Sequence, residues 1–204
     1  MEVSFILLLI TIFVVNTIYG LASPFLPSVL EDKDVSSIWT GIIFSTYAVA
    51  ATIMSIVTGG CLERLGHKTV ITVGAFLMSA AIVCFGFITD IDSKQVLIVT
   101  SILLRVAQGT AAGMINTTCY AFVSTAFPDD VESIISIFES VVGVGLSMGP
   151  VLGSITYSAL GFSATFFIFG GALAPAAVMI LVLLPSPAQV KAKNEGRDRA
   201  TSLN

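Results

Sequence analysis

Residues 96–127 read VLIVTSILLRVAQGTAAGMINTTCYAFVSTAF, an apolar run with one full charge near its middle, Arg105. About 20 predominantly apolar residues cross a bilayer as a helix, so this stretch reads as a membrane span. A charged side chain at bilayer depth costs about 2.5–3.5 kcal/mol on insertion scales, and such residues face protein or a polar cavity. Arg105 is therefore a functional-site candidate. The structural alternative is an arginine paired with backbone carbonyls or a carboxylate, holding helices together.

Five further apolar runs flank it, at about 5–26, 38–61, 69–89, 134–160 and 162–184. The chain is 55% hydrophobic and 11% charged, with a mean hydropathy of +0.98. A soluble domain of 204 residues needs a polar exterior that this composition cannot supply. The expected fold is an all-α membrane protein, with a bundle of six transmembrane helices over residues 1–185 and a polar, disordered tail over 186–204. The first run lacks a basic n-region, having Glu2, and exceeds the usual length of a signal peptide, so it is expected to stay as a span.

Net charge is −4, and a pI near 4.8 argues against a nucleic-acid partner, which demands a clustered basic face. Position says more. Arg64 and Lys68 follow the second span, and Lys191, Lys193, Arg197 and Arg199 follow the sixth. Connectors on the opposite side carry Glu31, Asp32, Asp34, Asp90 and Asp92 with only Lys33 and Lys94. The positive-inside rule then places both termini in the cytosol.

Cys61, Cys84 and Cys119 are odd in number and have no metal-ligand spacing, so they read as small apolar fillers. Asn116-Thr117-Thr118 matches a glycosylation sequon but falls inside a span, where no acceptor is used. A single histidine and no Ser/His/Asp set leave no catalytic constellation, so neither an enzyme nor a cofactor is expected.

Small residues recur at helical spacing: Gly109 with Gly113, then Gly145, Gly149 and Gly153. Residues four apart share a helix face, and glycine on that face lets a second backbone approach closely. Pro150 removes a helical hydrogen bond and should kink or loosen its helix. Pro128 ends the fourth span, and Asp129 or Asp130 can cap the next helix. Glu139, about two turns into the fifth span, is the one carboxylate near bilayer depth and the acidic partner to consider for Arg105. It either loads and releases a proton or snorkels to the interface. Asn16, midway along the first span, can bond a solute or a neighbouring helix.

Three separated segments share a pattern with one family. Gly59-Gly-Cys-Leu-Glu63-Arg64-Leu-Gly66-His67-Lys68 resembles the signature that the major facilitator superfamily carries between its second and third helices. Arg105-Val-Ala-Gln108-Gly109 resembles that superfamily's fourth-helix motif, and Gly145-x-x-x-Gly149-Pro150-x-x-Gly153 the antiporter motif of proton-driven exporters. Residues 138–153 look most like the vesicular amine and polyamine transporter branch. The chain departs at Glu63, where the usual residue is aspartate, at His67, where it is arginine, and at Ser154, commonly glycine.

The resemblance implies a proton-coupled transporter of a small organic solute. It assigns Arg105, Gln108, Glu139 and Asn16 to proton coupling and the cavity, and Gly59, Glu63, Arg64, Gly66 and Lys68 to a cytosolic latch. Gly109, Gly145, Gly149, Pro150 and Gly153 become a packing motif. A full superfamily member has two six-helix halves with the solute site between them. This chain supplies one, so the partners implied are the lipid bilayer, protons, a small-molecule substrate and either a second six-helix half or another copy of the chain. A truncated sequence, a half that pairs with a separate half, and a homodimer all fit that length. A six-helix interaction or regulatory protein that moves nothing is the rival class.

Overall fold

Pro24 and Pro27 decide where the first apolar run bends. In the computed structural model, which describes residues 2–128 and 130–183, helix α1 spans Glu2–Leu21 and a short helix α2 spans Leu26–Glu31. Pro24 has no N–H to give the Gly20 carbonyl. That carbonyl accepts instead from the Ser23 amide at 3.2 Å and the Ser23 hydroxyl at 2.8 Å, which closes a turn. Pro27 then stands in the first turn of α2, where a missing N–H costs nothing. The expected span to residue 26 is therefore split into a helix and a turn.

Helix α3 covers Ser37–Leu65 and α4 covers His67–Phe85, joined by Gly66 alone. Gly66 has φ +80°, a left-handed conformation that side chains other than glycine adopt with strain. A 3₁₀ turn, Ile88–Asp90, leads to α5 at Lys94–Ala126. Helix α6 spans Val131–Leu160 with Asp130 at its N-cap position, and Gly161 at φ +83° connects it to α7, Phe162–Leu183. Asp130 makes no side-chain capping bond. Both α6 and α7 run through an internal proline, Pro150 and Pro175, without interruption. The expected cap at Asp129 and the polar tail over 186–204 lie outside the described residues.

Helices α3 to α7 are each long and apolar enough to cross a membrane, the α4 span reaching Asp90, and Phe5–Leu21 is a shorter apolar segment. The described residues form helices and no strand. Numbering the long helices one to six, the extensive seams join the first to the fifth, the second to the fourth, the third to the sixth and the third to the fourth. Exchanging the first three with the last three returns the first three of these pairings, as expected of two three-helix repeats folded against each other, while the third-to-fourth seam has no equally extensive counterpart.

Glycine makes these seams close. A methyl group added at Gly113 would stand 2.5 Å from the Ala51 carbonyl oxygen of α3, and one at Gly109 would collide with the Tyr47 carbonyl. On α6, the same atom at Gly145 would lie 2.9 Å from the Phe13 carbonyl, at Gly149 2.5 Å from the Thr17 carbonyl, and at Gly153 against the Leu21 carbonyl. Each of the two expected glycine faces thus meets a backbone: α5 meets α3, and α6 meets α1. Gly20 answers from the α1 side, leaving room for the Pro150 ring and the Leu146 carbonyl, which that proline deprives of its helical donor. Gly74 does the same for α5 at Ile115, and Gly170 for α4 at Val83.

Candidate functional site

Arg105 is only 2% exposed although the chain supplies a single bundle. Its surroundings therefore come from this chain. The guanidinium carbon lies 4.8 Å from the Phe85 ring centre of α4 and 5.3 Å from the Phe44 ring centre of α3. Such contacts offset part of a buried cation's desolvation, about 0.5–2 kcal/mol each. Nη1 donates to Gln108 Oε1 at 3.2 Å, and Gln108 Nε2 reaches the Ala81 carbonyl of α4 at 3.4 Å. Gln108 is a bracket: one amide holds the arginine and the neighbouring helix together. Tyr19 of α1 and the buried Tyr47 of α3, whose rings lie 4.7 Å apart, are within electrostatic range of the charge.

The expected acidic partner lies elsewhere. Glu139 accepts a 2.8 Å hydrogen bond from the Tyr120 hydroxyl. Tyr120 is fifteen residues beyond Arg105 on α5, which is about 22 Å at 1.5 Å per residue. Arg105 and Glu139 thus occupy different levels of the bundle, and among the described residues Arg105 forms no ion pair. Glu139 is exposed on the face of α6 that also carries Ser136, Ser140, Gly143 and Ser147. Helix α3 presents a comparable exposed face of small residues, with Gly41, Ser45, Ala48, Thr52 and Gly59. Near its start that face forms a groove lined by Ile38, Gly41, Ile42, Ser45, Thr46 and Val49.

Asn16 is 8% exposed and donates to the Ile12 carbonyl of its own helix at 2.8 Å. Its Cβ lies 3.3 Å from where a Gly145 methyl would stand, so it belongs to the α1–α6 seam. Among the connector residues, Glu63 and Arg64 are exposed and Lys68 is half-buried, and none of the three forms an ion pair among the described residues. Gly59 has open space around its α-carbon. The structure therefore joins Arg105 with Gln108, and Gly109 with the seam beside them. It leaves Glu139, Asn16 and the connector as separate places.

Phe44, Phe85 and Ser101 are not among the residues that the sequence singles out, and Tyr120 stands there only as one of four tyrosines that either line the path or pack. Ser101 had a legible signal, standing one turn before Arg105 on the same face of α5. Two phenylalanines among fourteen carry no local mark of their role. Lys33 was read only as a lone positive charge in an acidic loop. It donates to the Thr89 carbonyl at 2.8 Å and the Ile91 carbonyl at 3.2 Å, tying the first connector to the third.

A family profile described as Major Facilitator Superfamily matches residues 8–203. The protein named MFS-type transporter SLC18B1 of Mus musculus is 29% identical over 171 residues, covering 84% of this chain and 37% of its own length. Its Homo sapiens counterpart of the same name is 26% identical over 168 residues, covering 82% and 37%. Multidrug resistance protein MdtG of Rahnella sp. is 28% identical over 178 residues, covering 84% of the chain and 41% of that protein. The chain thus spans less than half the length of these relatives.

Proposed function

The chain belongs to the Major Facilitator Superfamily, and from that premise we propose that it acts as the N-terminal half of a transporter exchanging protons for a small organic solute. The relatives it resembles are named as transporters and as a drug-resistance protein. A second six-helix half, covering the exposed small-residue faces of α3 and α6, supplies the other wall of the solute path. Rocking of one half on the other opens that path to each side in turn. Both termini face the cytosol in this reading, with Glu63, Arg64 and Lys68 forming the latch at the cytosolic surface.

The observation that carries the proposal is the enclosed Arg105–Gln108 pair, which holds a charge mid-span on α5 and ties it to α4. A buried charge is expensive and is kept where membrane proteins move charge or solute. Arg105 fixes the relative placement of α3, α4 and α5. Glu139, exposed and bonded to Tyr120, is the group suited to take up and give back a proton. Division of labour between the two fits their separation along α5.

Vesicles reconstituted with this chain together with a second six-helix half, under an imposed proton gradient, test this. Solute flux driven by the gradient, and lost on Arg105→Ala with the protein still inserted and folded, supports the reading. Absence of flux in every oligomeric state overturns it in favour of a six-helix interaction protein.

A further inference from the structure

Arg105 has more hydrogen-bonding capacity than its neighbours use. Nη1 is engaged by Gln108, while Nε and Nη2 are buried with no hydrogen-bond partner. The Oγ of Ser101 is likewise buried and unpartnered, and Ser101 is fully enclosed. Serine and arginine four residues apart lie on the same face of a helix, one turn above the other. One face of α5 thus gathers two guanidinium nitrogens, with three N–H groups between them, and a hydroxyl, all without a partner, around a full positive charge. The titratable groups in electrostatic range are the phenols of Tyr47 and Tyr19, and among the described residues no carboxylate stands beside the charge.

A buried cation without a counter-charge is costly, and the Nε/Nη2 edge of a guanidinium is a fork that favours anions. We propose that this edge and the Ser101 hydroxyl bind one monatomic anion of halide size, which serves as the counter-ion of Arg105. Enclosure sets the size. With Ser101 fully buried and Arg105 2% exposed, a single-atom anion asks less of the surrounding side chains than an organic carboxylate, whose body would have to be enclosed as well. The site lies within this half and needs nothing from a second one. It stands whether or not transport is coupled to protons.

The purified full chain in detergent, kept in sodium gluconate at constant ionic strength, is titrated with radiolabelled chloride. Saturable binding at one chloride per chain is expected, with binding lost in Arg105→Gln, weakened about tenfold in Ser101→Ala, which removes one hydrogen bond to an ion, and unchanged in Lys94→Gln, which removes an exposed cation at the start of the same helix. Should Arg105→Gln fail to fold, Ser101→Ala, a deletion of one oxygen, decides alone. Chloride that does not saturate on the unaltered chain, or an affinity that Ser101→Ala leaves unchanged, overturns the proposal.

Discussion

Arg105 keeps its charge between two phenyl rings and an amide rather than beside a carboxylate. Phe85 is the nearer ring and is fully buried. Phe85→Leu keeps most of the volume and removes the π face, so a loss of about 1–2 kcal/mol is expected. Phe85→Ala adds a cavity and should cost about 3–5 kcal/mol. Unfolding in mixed micelles measures both, and a negligible loss in Phe85→Leu beside a large one in Phe85→Ala would mean that the ring acts by bulk alone. The arginine and Gln108 were legible in the sequence because charge and amide are rare in apolar runs. The rings were not, since tertiary packing alone selects two of many phenylalanines. The same limit explains Glu139: its depth could be counted from the start of α6, but its bond to Tyr120 depends on how α5 and α6 cross.

Glycine spacing announced which helix faces are close-packed, and only the fold says against what. Gly145, Gly149 and Gly153 share a face by their spacing of four, yet the partner α1 lies far away in sequence. Gly149→Ala places a carbon 2.5 Å from the Thr17 carbonyl and should destabilise the chain by about 1–3 kcal/mol. Gly143→Ala, on the same helix with nothing within 4 Å, should be neutral or stabilising by up to about 1 kcal/mol in the isolated chain. A matched loss in both would remove the seam from the explanation. The first helix was read too long because hydropathy counts Ala22 to Leu26 as apolar, whereas the prolines at 24 and 27 govern the backbone. At the opposite connector, Lys33→Met should speed amide exchange over residues 88–91 by releasing the two carbonyls it holds.

At the scale of the whole molecule, composition and hydropathy sufficed for an integral, multi-pass helical protein, because lipid permits few alternatives to closed helical hydrogen bonding. Which helices pair along the seams is set by the tertiary fold and carries no mark in composition or hydropathy. The proposed orientation has a direct consequence for Cys61, an exposed thiol near the end of α3, while Cys119 is buried. In a Cys84→Ser background, a membrane-impermeant maleimide should modify Cys61 in inside-out vesicles and leave it untouched in right-side-out ones. The reverse pattern inverts the topology.

Exchange of a solute for protons through Glu139, with this bundle as half of the carrier, is the function we propose. Its most direct measurement is proton movement in vesicles that hold a pH-sensitive dye and carry this chain with its second six-helix half, on addition of each of a set of small organic amines and acids, for the unaltered protein and for Glu139→Gln. The account predicts solute-evoked proton movement that Glu139→Gln abolishes, with the variant still folded and inserted. Proton movement of equal size in the variant, or none for any solute with the unaltered protein, contradicts it.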